Sequence, residues 1–414
     1  MGVETPNFTR ASFFKFYGEI VKRTFSAIMF FALAVALSQG APANAQSATT
    51  SIFQVVPTPD QNTINNQLFA AAASSPNDIW AVGHTVIHFD GNEWSTVPAP
   101  GINGDFSNEL LGVVDISPTL AWAVGNLGQV GNQLMPPQQL IEQWNGTKWS
   151  IFPGPKFPPD SQAIVQSITS TSANDIWAVG NFSFKKKGFQ LFEHFNGTAW
   201  TAEVVPQTNI QEPLSVSADA PNDAWAVGQQ SGDPIKTFAT HWNGTNWTSV
   251  ETPNVGTGNG HLNAVLSLSP NNVWAVGLST PTGTQQSATL TLIEHFDGKV
   301  WSVVPSPNVG PNSDFQSNQL LGLTANSPDD IWAVGSYLST DGLQTLTLVL
   351  HWDGTSWTIV PSPDPTKGFL NDSLFAGVVP SPGNVWIFGT AEEGQGIGFG
   401  TLALHTTKGA DSSF

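Results

Sequence analysis

The chain has 414 residues, 40% of them hydrophobic and only 11% charged, which excludes a disordered polyelectrolyte and provides for a large core. It has no cysteine, so disulfides, thiolate metal sites and cysteine nucleophiles are excluded together. The formal charge is −18, and the only two arginines, Arg10 and Arg23, lie at the extreme N-terminus; a chain so poor in basic groups is not expected to bind nucleic acid.

Residues 1–45 read as a secretory signal peptide. Lys15, Lys22 and Arg23 precede an apolar stretch from Phe25 to Leu37, and Ala43-Asn44-Ala45 supplies the small residues of a cleavage site. That apolar stretch is shorter than the roughly 20 residues of a membrane span, so a cleaved leader is expected over a retained anchor, with Gln46 as the mature start. The leader carries Arg10, Lys15, Lys22 and Arg23 against Glu4 and Glu19, which leaves the remainder at −20 with nine lysines and no arginine. The expected location is therefore outside the cytoplasm: secreted, periplasmic or on the cell surface. No membrane span is expected after cleavage.

Residues 46–414 are built from a repeat. The string Asn77-Asp-Ile-Trp-Ala-Val-Gly83 returns in six variant copies whose leading tryptophans are Trp122, Trp177, Trp225, Trp274, Trp332 and Trp386, after Trp80. Their intervals of 42, 55, 48, 49, 58 and 54 residues define seven units. A second signature follows in six of them, as in His351-Trp-Asp-Gly-Thr-Ser-Trp357, and all 16 tryptophans fall at positions of this repeat.

Each unit reads as four short strands. An apolar strand such as Leu110 to Ile116 ends at a Ser-Pro or similar turn, and the Trp-Ala-Val-Gly run is apolar enough for a buried strand. A third strand ends in His-Phe or His-Trp, and Asp-Gly or Asn-Gly then supplies a hairpin turn. The fourth strand carries the second Trp and stops at proline, which cannot donate to a ladder. Four antiparallel strands repeated seven times predict an all-β seven-bladed propeller. The last unit lacks its fourth strand, whereas Ser51–Pro57 resembles a fourth strand without its first three. Aligned on Pro57 and Pro361, Phe53 stands where Trp357 does, so the N-terminal strand is expected to complete the C-terminal blade as its outer strand.

The glycine-ended apolar strand, the aromatic at the end of the third strand and the Trp followed by Pro-x-Pro resemble kelch repeats, over residues 52 to about 406. One glycine replaces the family's doublet, and Phe or Trp stands where kelch has tyrosine. The chain is closest in appearance to secreted bacterial proteins with WAVG and HWDGTSW repeats, and the Asp-Gly-x-x-Trp element is distantly similar to the Asp box of sialidases. Both resemblances imply a propeller.

Residues present in every unit are expected to hold the ring together. The six histidines His88, His194, His241, His295, His351 and His405 share one repeat position, too far apart around a ring to surround one metal ion, and are assigned to bonds with turn residues such as Asp78, Asp175, Asp223 and Asp330. No metal site is expected. The repeated tryptophans are assigned to packing between blades rather than sugar stacking. The Asn-Gly-Thr strings at Asn145, Asn196 and Asn243 alternate with Asp at the same turn, so turn geometry explains them. Lys185, Lys186 and Lys187 read as a solvated loop tip.

Function is sought where units differ. The connection between second and third strands and the link between units vary in length, and in an up-down blade both emerge on one face. On that face Asn66, Asn108, Asn318 and Asp372 precede the first strands of four consecutive blades. Joined by Gln67, Glu109 and Gln319, they predict a polar arc at the mouth of the central channel, suited to sugar hydroxyls or to calcium; no other cofactor is expected. The alternative for each is local hydrogen bonding at a strand start.

The expected function is a non-catalytic binding module for a protein or glycan ligand on the long-loop face, with no catalytic residues assigned. The rival is a propeller-based glycan hydrolase or lyase using loop carboxylates, for which Asp105, Asp314, Asp341, Asp372, Glu392 and Glu393 are the unrepeated candidates. No spacing singles out a pair. The missing arginines oppose a retaining sialidase, a copper radical site lacks its cysteine, Tyr337 being the one tyrosine after the leader, and no Gly-x-Ser-x-Gly elbow occurs.

Overall fold

The structure, a computed structural model, describes residues 51–61, 65–102, 108–130, 133–206, 211–253, 258–280, 288–310, 317–366, 370–393 and 398–406. The expected signal peptide, its cleavage site and the start at Gln46 lie outside the described residues.

The described residues form seven four-stranded antiparallel sheets, six of them with their strands in chain order from the centre outward. The third blade is typical: Gln162–Ser172, Asp175–Phe184, Lys187–Phe195 and Trp200–Pro206. The seven first strands are Leu68–Ser75, Asn108–Ser117, Gln162–Ser172, Gln211–Ala220, Gly260–Ser269, Asn318–Ser327 and Asp372–Ser381. Each touches the first strands of both neighbouring blades, so together they form the inner wall of a ring. The seventh blade takes its outer strand from Phe53–Val55, which pairs antiparallel with Gly398–Thr406 in the register Phe53 to Thr406. The N-terminal strand therefore closes the ring by hydrogen bonding to the C-terminal one. The expected seven-bladed architecture and its mode of closure are those observed.

Tryptophan builds the seams. Trp177 on a second strand stacks on His194 of its own blade at 4.3 Å and meets Trp242 and Trp247 of the next blade at 4.8 and 5.4 Å. The same set recurs at every seam: Trp80 meets Trp144 and Trp149, Trp122 meets Phe195 and Trp200, Trp225 meets Phe296 and Trp301, and Trp274 meets Trp352 and Trp357. Trp332 meets Phe53 across the closing blade at 5.6 Å, and Trp386 meets Phe89 and Trp94. Tilted and edge-to-face pairs of this kind each contribute about 0.5–1.5 kcal/mol beyond the area they bury.

The histidines fix those tryptophans. His88, His194, His241 and His351 place Nε2 at 2.6–2.8 Å from Asp78, Asp175, Asp223 and Asp330, while His295 and His405 pair with Asn272 and Asn384. A ring nitrogen held by a residue at the start of the second strand sets the imidazole plane, and the indole stacks on that plane. Asp-Gly or Asn-Gly turns then close the outer hairpins of the first six blades; Gly91 and Gly354 adopt φ near +90°, which a side chain resists.

Every first strand carries two register irregularities, one beside the short turn and one, a bulge, toward the long-loop end. Phe69, Leu111, Gln166, Leu214, Asn263, Leu321 and Phe375 are the extra residues, each falling between two register positions of the ladder to the second strand. A bulge bends its strand and raises local twist. The residues just before and two after it pack between blades, as Val165 and Ile168 do.

Candidate functional site

The mouth of the channel is defined by the glycine that ends each second strand. A Cβ on Gly83, Gly125, Gly180, Gly228, Gly277, Gly335 or Gly389 would collide with the carbonyl oxygen of Gln67, Glu109, Ile164, Glu212, His261, Gln319 or Ser373 respectively. Glycine is therefore required for close backbone approach, not for a turn. The approach also fixes which residues emerge at the long-loop end: the one contributing that carbonyl, and the one following the glycine.

These positions form a collar. The first-strand members are Gln67, Glu109, Ile164, Glu212, His261, Gln319 and Ser373; opposite them stand His84, Asn126, Asn181, Gln229, Leu278, Ser336 and Thr390. Twelve of the fourteen are polar, and none is lysine or arginine. Asn126 Nδ2 lies 3.5 Å from Glu109 Oε1, Gln229 Nε2 donates to Glu212 Oε2 at 2.5 Å, and Gln319 Nε2 donates to Ser336 Oγ at 3.1 Å. Neighbouring blades are joined here too: the Val165 amide donates to Asn126 Oδ1 at 3.1 Å, and His84 Nε2 stands 3.9 Å from Glu109 Oε2. Burial pushes the Glu109 carboxyl above its ordinary range and the His261 imidazole below its own. Below the collar lies the ring of half-buried bulge residues, where Phe69 and Phe375 meet edge to face at 5.3 Å.

The predicted arc divides in two. Gln67, Glu109 and Gln319 belong to the collar. Asn66, Asn108, Asn318 and Asp372 are all at most 3% exposed, and their side chains hold neighbouring backbone. Asn66 Oδ1 accepts from the Gln61 amide and Asn108 Oδ1 from the Gly128 amide; Asn318 exchanges two bonds with the Val309 backbone, and Asp372 accepts from the Thr366 amide and hydroxyl. Burial pushes Asp372 up to about 6. All four are strand-start anchors beside the mouth.

Of the loop carboxylates, Asp372 and Glu392 stand near enough for the charge of Glu392 to add to the upward shift of Asp372. Asp105 and Asp314 lie outside the described residues, Asp341 accepts from Ser339 and Leu343 in its own exposed turn, and Glu392 is held by Asn371 through both the amide and Nδ2. Among the described residues, no three His, Asp or Glu side chains come together as a metal site.

Two features escaped the sequence reading. One is the second half of the collar, for which the signal was present: the residue after Trp-Ala-Val-Gly is polar in six of seven units. The other is a set of carboxyls inside the blades. Glu142, Glu193 and Glu294 occupy one repeat position, immediately before the third-strand His or its counterpart Gln143, and are fully buried. Burial pushes them up to about 7, 8 and 8. The Gly101 amide donates to Glu142 at 2.5 Å, whereas neither oxygen of Glu193 has a hydrogen-bond partner among the described residues.

Comparison with solved structures identifies the fold. The chain is similar to YCF48 bound to a D1 peptide, with TM-score 0.54 and 14% identity over 88% of this chain and 98% of that one. It is similar to the WD40 β-propeller domain of Doa1, with TM-score 0.52 and 11% identity over 87% and 98%. A PL25 polysaccharide lyase, an ulvan lyase, gives TM-score 0.58 and 9% identity over 84% and 95%. No family model matches the chain, and no curated protein matches it in sequence.

Proposed function

We propose that this chain is an exported, non-catalytic binding module that holds a protein or glycan ligand at the channel mouth on its long-loop face. Its WAVG and HWDGTSW repeats resemble those of kelch-like propellers, which supports the reading. The observation that carries the reading is the division of labour within each blade. Tryptophan, histidine and glycine recur because the fold needs them, whereas the collar changes from blade to blade and presents partly exposed amides and two carboxylates through Glu109, Asn181, Glu212, Gln229 and Gln319, with Gln67 buried behind them at 4% exposed. Gln67, Glu109 and Gln319 are assigned to ligand contact. Asn66, Asn108, Asn318 and Asp372 are assigned to positioning the loops that frame it. Similar propellers include one solved with a peptide and one acting on a polysaccharide, and both ligand classes suit a polar mouth.

The test is a screen of the purified protein against glycan and peptide arrays, with and without calcium, beside a Gln67→Ala/Gln319→Ala variant. Neither residue lies at an indole seam, so the melting temperature should fall by no more than a few degrees, the part due to buried Gln67, while binding weakens about tenfold or more. Undiminished binding by the variant, or no ligand of either class under either condition, refutes the assignment. Cleavage of a bound glycan would refute the non-catalytic part alone.

A further inference from the structure

We propose that the part of the mouth formed by blades seven, one and two receives a basic side chain, a lysine or arginine of a protein partner, with its cation on Glu109 and its methylene stem over Phe69 and Phe375. This rests on the channel-mouth reading and names the ligand chemistry within it.

Three independent observations converge there. The first is the state of Glu109. Its carboxylate is half-buried at the mouth, with the Asn126 amide 3.5 Å from one oxygen and the His84 imidazole 3.9 Å from the other, beyond hydrogen-bonding range. None of the fourteen collar positions supplies a lysine or arginine. A carboxylate ringed by protein, whose one cationic partner among the described residues is the His84 imidazole when protonated, is weakly compensated, and a cation carried by a ligand recovers that loss.

The second observation is the floor. Phe69 packs edge to face on His84 at 5.1 Å and on Phe375 at 5.3 Å, and both phenylalanines are half-buried. The two rings meet edge to face at 85°, an apolar surface on which a linear methylene chain can lie while a cation at its end gains from the ring quadrupoles. The third is long-range: a chain of net charge −18 draws cationic partners and repels anionic ones.

The test uses four heptapeptide libraries that differ only at the central residue, which is lysine, Nε-acetyl-lysine, asparagine or glutamate. Binding to the purified protein is read by fluorescence polarisation at low and high salt, for the parent, Glu109→Gln and Phe375→Leu. Glu109→Gln keeps the shape and removes only the charge. The lysine library should bind about tenfold or more tightly than the other three, lose that margin in Glu109→Gln, and weaken in Phe375→Leu and at high salt. No lysine preference in the parent, or an equal preference in Glu109→Gln, overturns the proposal. A glycan or neutral peptide that ignores Glu109 yet depends on Gln67 and Gln319 would refute the basic ligand while leaving the mouth as the binding site.

Discussion

Glu193→Gln isolates the cost of a buried carboxyl. Glu193 is fully buried, neither oxygen has a hydrogen-bond partner among the described residues, and burial pushes it from its ordinary 4.5 up to about 8. Between those two values the unfolded chain is ionised while the folded chain keeps the proton, so the folded state binds more protons and stability falls as pH rises. The penalty is absent below about pH 4.5, grows by about 1.36 kcal/mol per pH unit, and levels off near pH 8. From pH 5 to pH 7 the parent should therefore lose about 3 kcal/mol more than the glutamine variant, which has no proton to exchange. For the 365 residues of Thr50–Phe414, at about 2.1 cal/mol/K per residue, that is a difference of about 3–4 °C in melting temperature. Glu142, Glu294 and Asp372 titrate alike in both proteins and cancel in the comparison. Melting curves of the two proteins at half-unit steps from pH 4.5 to 8.5 should diverge with pH, to the variant's advantage, and then run parallel. Curves parallel throughout would mean that Glu193 is ionised in the folded state, refuting the argument.

Two further substitutions test the architecture. Gly180→Ala should cost about 3 kcal/mol or more, because its Cβ would run into the Ile164 carbonyl, whereas Gly342→Ala, at φ 72° with open space around it, should cost only about 1 kcal/mol; chemical denaturation of both variants checks the contrast. Phe53→Ala should cost about 3–5 kcal/mol and expose the seventh blade to proteolysis first, since Phe53 is 3% exposed and packs on Trp332; a melting temperature equal to the parent's would refute closure through the N-terminal strand.

The ring was legible because its demands recur. A Trp-Ala-Val-Gly run every fifty or so residues leaves little freedom in architecture, and the half-unit at each chain end determines where the ring is joined. The site was legible only in part. Asn66, Asn108, Asn318 and Asp372 were chosen for polarity at the right end of the right strand, but a short polar side chain at a strand start serves nearby backbone as readily as a ligand, and here the backbone takes all four. The bulge at Phe69 and its equivalents leaves no mark in the pattern, because both faces of a blade pack against neighbours. Glu193 escaped for the same reason. Strand alternation usually assigns a glutamate beside a histidine to solvent, and a propeller blade has no solvent face there.

The same geometry separates stability from recognition. The histidine-aspartate pairs sit where second strands begin, at the short-turn end, and the collar sits where they end. From Asp175 to Asn181 is six residues of extended chain, about 20 Å at 3.3 Å per residue. Sites that far apart, with no shared partner, combine additively in free energy. The glycine between them couples the two ends in geometry alone, by pressing the second strand onto the first so that the next residue is delivered to the mouth. A blade can therefore exchange glutamine for histidine, asparagine or threonine after its glycine without disturbing the indole seams. Under the proposed function, a ligand at the mouth would read the combination of these seven positions.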